Sequence, residues 1–404
     1  MKKNIHPQST TKKKISEISK ILNGYAFKSK NYVDDGIRII RIANVQDGRI
    51  VDKDPCFYPI DTDEDIEKYK LFSGDLLVSL TGNVGRIGIL PDSMLPAALN
   101  QRVCCLRIDK SIIDPKYLFY YLSRRQFIRD CIRASKGIAQ FNLSTKWLAD
   151  YEIPLPDIDT QKSTVARIEE LFSQLDNGVE TLKTIKRQLE VYRQAVLKDA
   201  YECIENYVSL HSLSERIFDG PFGSNLKTAD YVSEGVRVVR LENLKDGWFD
   251  DSKQSFITEE KYATISNHTV YPSDLIMSTF IADSIKVCQM PSYIKYAVNK
   301  ADCVGIRLKG NISPQYVMYY LITEDAYNQI AKQVHGATRP RVNTKQIRAV
   351  QIPICDTARQ CQVVQMIESR LSVCDSIEKT VDTALQQAEA MRQSILKQAF
   401  EGRI

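Results

Sequence analysis

Residues 36–48 read GIRIIRIANVQDG, and residues 235–247 read GVRVVRLENLKDG, the same pattern 199 positions further on. The offset holds along the chain. Gly74–Ser79 (GDLLVS) meets Ser273–Ser278 (SDLIMS), Asp114–Leu122 (DPKYLFYYL) meets Ser313–Leu321 (SPQYVMYYL), and Ile153-Pro154 meets Ile352-Pro353. Residues 160–202 match residues 359–401 at 16 of 43 positions without a gap. The chain is therefore one unit written twice. A tandem duplicate can build an internal pseudo-twofold, and the backbone of B-form DNA is a ligand with that symmetry.

Each unit divides in two. The first parts, residues 1–155 and 206–354, mix short β-type runs with helical ones. Arg38–Val45 and Arg237–Leu244 are β-rich between glycines, and Leu76–Leu80 and Leu275–Ser278 follow Gly-Asp and Ser-Asp turns. Tyr117–Ile132 and Tyr316–Val334 read as helices, with Pro115 and Pro314 placed for the first turn. These parts predict mixed α/β domains with a strongly bent sheet.

The second parts, residues 156–205 and 355–404, read as one long helix each. Between Pro156 and Cys203 there is no proline. Val165, Ile168, Phe172, Leu175, Val179, Leu182, Ile185, Leu189, Tyr192 and Val196 follow 3-4 spacing with one 3-3 slip, a coiled-coil seam. The second copy gives Val364, Ile367, Leu371 and Cys374, then Val381, Ala384, Ala388, Met391 and Ile395. Forty helical residues span about 60 Å, and an apolar stripe of that length needs a partner. Helix one delivers the chain to domain two and helix two begins beside it, so antiparallel pairing needs no long connection. It would set the domains at opposite ends of one rod. The expected fold is α+β, with two tandem mixed α/β domains separated by two long antiparallel coiled-coil helices in pseudo-twofold arrangement. The competing reading packs each helix on its own domain.

Composition excludes several classes. No apolar run is long enough to span a membrane, and MKKNIHPQSTTKKK lacks the apolar core of a secretory signal. The ten cysteines show no CxxC or Cys/His spacing and read as reduced thiols of a cytosolic protein. Lys2, Lys3, Lys12, Lys13 and Lys14 supply the whole net charge of +5. They read as a solvated tail, so a nucleic-acid footprint must come from local clustering.

No catalytic set stands out. The four histidines, His6, His211, His268 and His335, are not spaced as metal ligands. There is no GxxxxGK[ST] motif and no NPP-aromatic tetrapeptide of the amino-methyltransferase type. No cofactor and no metal are expected. Binding signals are stronger. Residues 332–348 carry Lys332, Arg339, Arg341, Lys345 and Arg348 beside Asn343, with no acid. The matching stretch 131–148 carries Arg133, Lys136 and Lys146 beside Gln140 and Asn142, again with no acid. Basic loops rich in Asn and Gln suit DNA, because cations neutralise phosphates while Arg, Asn and Gln can bond base edges. The alternative is a solvated surface loop. The Gly82–Gly88 loop, with Asn83 and Arg86, is a second candidate against a tight structural turn. Its counterpart Ser278–Lys286 keeps Lys286 but loses the glycines. Copies that share a frame and differ in polar loops look like two readers of two sequences. Arg38/Arg237 and Arg41/Arg240 read as scaffold in preference to phosphate contacts, and Asn44/Asn243 and Asp47-Gly48/Asp246-Gly247 as turn chemistry.

The order of these motifs resembles the specificity subunit of type I restriction–modification enzymes. The motifs are Gly36–Arg41, Gly74–Ser79, Thr81–Gly85, Ile153–Pro156 and Gly336–Arg341. The first copy departs at Ser135–Ala139, where the Gly-Ala-Thr triplet of the second is missing. The resemblance implies two target-recognition domains, each reading half of a bipartite asymmetric sequence in double-stranded DNA. It implies helices that act as ruler and dock for two modification (adenine methyltransferase) subunits, joined by restriction (translocase/endonuclease) subunits. It further implies a non-catalytic cytoplasmic subunit without a membrane partner. The contrasting expectations are a methyltransferase in its own right and a coiled-coil scaffold without DNA specificity.

Overall fold

A computed structural model of the chain describes residues 11–61, 66–137, 141–281, 284–332 and 341–404. It forms two units, Met1–Leu182 with Thr383–Ile404, and Lys183–Asp382. The division cuts both long helices, Ile158–Tyr201 and Thr357–Phe400. Each unit therefore holds one mixed domain, the start of that domain's own helix and the end of the other.

In the first unit, strands Ser19–Asn23, Val103–Ile108, Leu76–Ser79 and Ile87–Ile89 make an antiparallel four-stranded sheet in that order. Phe57–Tyr58, Ile37–Ile40, Ala97–Leu99 and Lys70–Leu71 make a second, in which Ile37–Ile40 runs parallel to Ala97–Leu99. Side chains alternate faces along a strand. Leu76 and Val78 enter the core under the helices, and Leu77 enters the core shared with the second sheet. Both faces of that strand are covered, which is why it is apolar throughout. The outer face of the second sheet carries Ile37, Ile39 and Ala98 under a cluster with Phe27 and Tyr58. The single bent sheet expected is thus two sheets, joined by their facing apolar residues.

The second unit repeats the plan with Ser214–Asp219, Cys303–Leu308, Leu275–Ser278 and Val287–Gln289. Its mixed sheet has five strands, Tyr231–Val232, Phe256–Ile257, Val236–Val239, Ala297–Asn299 and Thr269–Val270.

A buried glutamine anchors each long helix to its domain. Gln161 accepts from the Asp114 backbone N–H at 2.8 Å and donates to the Pro156 carbonyl at 2.9 Å. Gln360 accepts from Ser313 N–H at 2.9 Å and donates to the Cys355 carbonyl at 2.9 Å. Both glutamines are 1% exposed. Asp157 and Asp356 bond the backbone N–H three residues on, at 2.9 Å each, meeting donors that a helix start leaves open.

The helices run antiparallel within each unit. In the second, Lys186 meets Asp382 at 2.9 Å and Arg193 meets Asp375 at 2.6 Å. In the first, Arg392 pairs with Asp176, and Ile168 packs with Leu396 and Ala399. Arg193 and Arg392 are equivalent in the repeat, as are Asp375 and Asp176, so the pairs are reciprocal. The end aromatics match too. Phe400 packs edge-on against Tyr117 and Tyr121, and Tyr201 against Tyr316 and Tyr320.

Several expectations are corrected. Tyr192 is 49% and Met391 53% exposed; Arg193 and Arg392 take their seam positions, where carboxylates of the facing helix meet them. Tyr117–Ile132 is two helices, Pro115–Leu122 and Arg125–Ala134. The break falls at Ser123-Arg124, where Arg124 is extended and the Ser123 hydroxyl returns to Phe119 O at 2.7 Å. Its counterpart splits into Pro314–Leu321 and Glu324–Ala331, with Thr323 capping the second. Pro115 and Pro314 do open their helices. Of the lysine tail, Thr11–Lys14 is a strand paired with Glu152–Leu155, and Lys14 meets Asp150 at 2.9 Å.

Asn44 and Asn243 are turn residues as expected. Each side-chain oxygen accepts from Arg41 or Arg240 N–H, and each amide donates to two carbonyls. Arg38 and Arg237 pair with Asp52 and Asp251, each at 2.5 Å. Among the described residues, no helix is long and apolar enough to cross a membrane, and no cluster of three His, Cys, Asp or Glu could hold a metal.

Replacing Gln161 or Gln360 by Ala strands a buried N–H, a loss of about 1–3 kcal/mol. A lowered urea midpoint for each variant is expected; wild-type midpoints would mean the amide bonds contribute nothing. All ten cysteines are free thiols. Burial pushes the thiols of Cys104, Cys131 and Cys288 up to about 12, so at pH 8 they are protonated as well as covered. A chromogenic disulfide reagent should react fast with exposed Cys203 and Cys361, and with Cys104, Cys131 and Cys288 only after unfolding.

Candidate nucleic-acid interface

In the first unit two loops meet at one end of the antiparallel sheet. Residues 80–86 turn between strands Leu76–Ser79 and Ile87–Ile89. Phe141 and Leu143 lean on them: Gly82 N–H donates to Phe141 O at 2.9 Å, and Leu143 N–H to Leu80 O at 2.7 Å. Lys136 and Asn142 pair across the base of the second loop. Gly85 has φ +78°, and a Cβ there would lie 2.9 Å from Cys131 Sγ. The glycine lets the first loop sit on helix Arg125–Ala134.

Arg86 is held at this point. It bonds Gln46 at 3.1 Å and approaches Asp47 at 3.4 Å. With the Asn83 amide turned to satisfy both groups, its oxygen accepts from the Arg86 guanidinium at 3.2 and 3.3 Å. Arg86 also lines a cleft of about 1100 Å³ with Arg49, Arg125 and Arg392.

The second unit keeps the frame and changes the side chains. Ser278 N–H donates to Lys286 O at 2.8 Å, as Ser79 N–H does to Arg86 O at 2.9 Å. Lys286 thus occupies the place of Arg86. Val342 N–H donates to Thr279 O at 2.8 Å, the counterpart of the Leu143–Leu80 bond. Arg341 stacks on Phe280 at 4.8 Å, bonds Thr279 Oγ1 at 3.3 Å and pairs with Asp302, while 51% exposed. Burial raises the nearby Asp219 carboxyl above the usual range, against the pull of Arg348, His268 and Arg341.

The structure therefore brings Asn83, Arg86, Lys136 and Asn142 together, and separately Lys286 and Arg341. Arg133 ends its helix with a weak approach to Asp130 at 3.9 Å. Lys146 and Lys345 are exposed in the first turns of Thr145–Asp150 and Thr344–Ala349. Asn343 is the N-cap of the latter helix, its oxygen accepting from Gln346 N–H at 3.0 Å, so only its amide nitrogen remains for a ligand. Gln140 and Arg339 lie outside the described residues. The carboxylates that hold the arginines, Asp47 and Asp302, carried no sequence signal beyond a turn and a strand end.

A charge inversion accompanies the loop differences. Arg124, Arg125 and Arg129 line a groove with Lys397 in the first unit, where Glu401 is the one acid among the described residues. The equivalent positions in the second hold Thr323, Glu324 and Asn328, and the groove there is lined by Thr323, Glu324, Asp325, Glu190 and Lys198.

Comparison with known proteins agrees with this plan. The type I restriction modification DNA specificity domain matches residues 7–191. The type I restriction enzyme EcoBI specificity subunit of Escherichia coli is 23% identical over 96% of this chain and 85% of its own length. The MjaVIII specificity subunit of Methanocaldococcus jannaschii is 30% identical over 46% of this chain and 43% of its own length. A chain from a solved structure of the type I R-M system superposes with a TM-score of 0.71, over 98% of this chain and all of that one, at 15% identity; it shares the fold. With the repeat, the helices paired within each unit and relatives matched nearly end to end, the chain is similar over almost its whole length to the specificity subunits of type I restriction–modification systems.

Proposed function

We propose that this chain gives a type I restriction–modification complex its DNA sequence specificity, each mixed domain reading one half of a bipartite asymmetric target. One observation carries the reading: the bonds Ser79 to Arg86 and Leu143 to Leu80 in one unit match Ser278 to Lys286 and Val342 to Thr279 in the other, while the polar side chains beside them differ. A shared frame with divergent polar tips is what two readers of unlike sequences require. The reader domains are residues 1–155 and 206–354, and the spacers are 156–205 and 355–404. Arg86, Asn83, Lys136, Asn142, Arg133 and Lys146 face one half-site. Lys286, Arg341, Lys345 and the Asn343 amide face the other, with Gln140 and Arg339 assigned to the same loops from sequence.

The chain is the non-catalytic recognition subunit. It assembles with other subunits: two modification (adenine methyltransferase) subunits docked on the helices, then the restriction (translocase/endonuclease) subunits. The setting is cytoplasmic. Arginine carries five N–H donors, so Arg86 and Arg341 can keep their carboxylates and still donate outward. The holding acid fixes the guanidinium plane before DNA arrives, which lowers the ordering cost of contact.

The test is adenine methylation by the assembled complex on a randomised target library. Arg341→Ala should relax or weaken one half-site by about 1–3 kcal/mol and leave the other unchanged, and Arg86→Ala should do the converse. A phosphate contact would instead weaken all sequences uniformly and flatten the salt dependence. Unchanged half-site preference and salt slope in both variants would remove these loops from the interface.

A further inference from the structure

The mixed sheet of the second unit holds a feature the reading above does not use. Arg237 has a side chain only 6% exposed. One guanidinium nitrogen donates to Asp251 at 2.5 Å and to the Lys253 carbonyl at 3.1 Å, while Nε and the other terminal nitrogen have no acceptor. Buried charged donors are nearly always bonded. The residue borders a cleft of about 380 Å³, lined also by Phe256, Tyr293, Tyr296, Gln254 and Glu259, at the lower end of the size range of ligand pockets. Phe256 lies 5.5 Å from the guanidinium, and Tyr293 is 69% exposed.

The first repeat isolates what is special. Arg38, Asp52 and Phe57 stand where Arg237, Asp251 and Phe256 do, with the same ion pair and stacking. Arg38 is 18% exposed, and no buried donor of its side chain lacks a partner. By the register of Ala97–Leu99 against Ala297–Asn299, Ser93 and Pro96 replace Tyr293 and Tyr296, and Pro55 and Ile60 replace Gln254 and Glu259. The ion pair is common scaffold, as the sequence suggested; the aromatic walls, the Glu259 carboxylate, which accepts from the Tyr296 hydroxyl at 3.3 Å and keeps its second oxygen for a ligand, and the unmet donors belong to the second repeat alone. The cleft also lies apart from the candidate interface. It opens at the Gly235–Val236 end of strand Val236–Val239, whereas Val239 bonds Lys300 at the end facing Asp302 and Arg341.

We propose that this cleft binds a guanine base. The ligand must offer acceptors to two guanidinium N–H groups, lie flat among Phe256, Tyr293 and Tyr296, and present donors to a carboxylate. Guanine has acceptors at N7 and O6 on one edge and N–H donors at N1 and N2 on the next, which Glu259 can receive. Adenine puts an amino donor where O6 would be, against a cationic donor. Tyr293 and Arg237 both lie against Asp251, so the base enters by parting Tyr293 from that carboxylate. It comes either as a free nucleotide or as an unpaired guanine in a strand.

Equilibrium dialysis of the intact chain, with its partner subunits where they co-purify, tests this with labelled GMP, AMP and a duplex bearing one bulged guanine. Saturable GMP binding is expected, with AMP weaker by at least about tenfold. Tyr293→Ala, at an exposed position, should weaken GMP binding by a similar factor at an unchanged melting temperature, and so should Arg237→Lys, which keeps the cation and loses the fork. Competition by the bulged duplex assigns the source to a strand; binding of GMP without such competition assigns it to the free nucleotide. No binding of either probe, equal affinity for GMP and AMP, or indifference to Tyr293→Ala overturns the proposal.

Discussion

The buried amides of Gln161 and Gln360 set the geometry on which the other contacts depend. Each joins a loop carbonyl just before its long helix to the N–H that opens a domain helix, at Asp114 or Ser313. An amide needs both a donor and an acceptor in reach, so the bond pair fixes helix rotation as well as position, and in a buried site a lost bond is not replaced by water. With the rotation set, Val165 and Ile168 turn into the apolar clusters of the first unit, and Val363 and Ile367 into that of the second. The seam follows.

The loops proposed to meet DNA exploit the same division of labour. Backbone bonds that do not depend on side-chain identity, Leu143 to Leu80 and Val342 to Thr279, hold them at the sheet ends. Side chains above those bonds are free to change without loss of the frame. Binding residues concentrate on such loops because a rigid scaffold positions them while their own sequence is unconstrained. Asn343 illustrates the limit: its cap bond ties one half of a polar side chain to folding.

Much of this was legible in the chain. The repeat, the prolines at Pro115 and Pro314 and the stripe from Val165 to Val196 signal local geometry directly, through φ restriction and helical periodicity. What escaped was set by partners distant in sequence. Arg193 outcompetes Tyr192 for the seam because Asp375 and Glu378 wait on the facing helix. Lys12–Lys14 join a strand because Glu152–Leu155 offers an edge. The helix break at Arg124 has no proline or glycine to announce it. In the site, the basic loops were visible as composition, but Asp47 and Asp302, which aim the arginines, look like ordinary turn and strand-end residues.

The reciprocal contacts have a consequence for how the molecule is oriented. Arg193 with Asp375 repeats Arg392 with Asp176, and Tyr201 on Tyr316 repeats Phe400 on Tyr117. Joints this alike, differing by Tyr201 for Phe400 and by the extra Arg193–Glu378 pair, give a partner that touched only them little by which to tell the two units apart. The label lies beside them, where Arg124, Arg125 and Arg129 in one groove give way to Thr323, Glu324 and Asp325 in the other. A ligand meeting the first groove finds a basic field, and one meeting the second an acidic field.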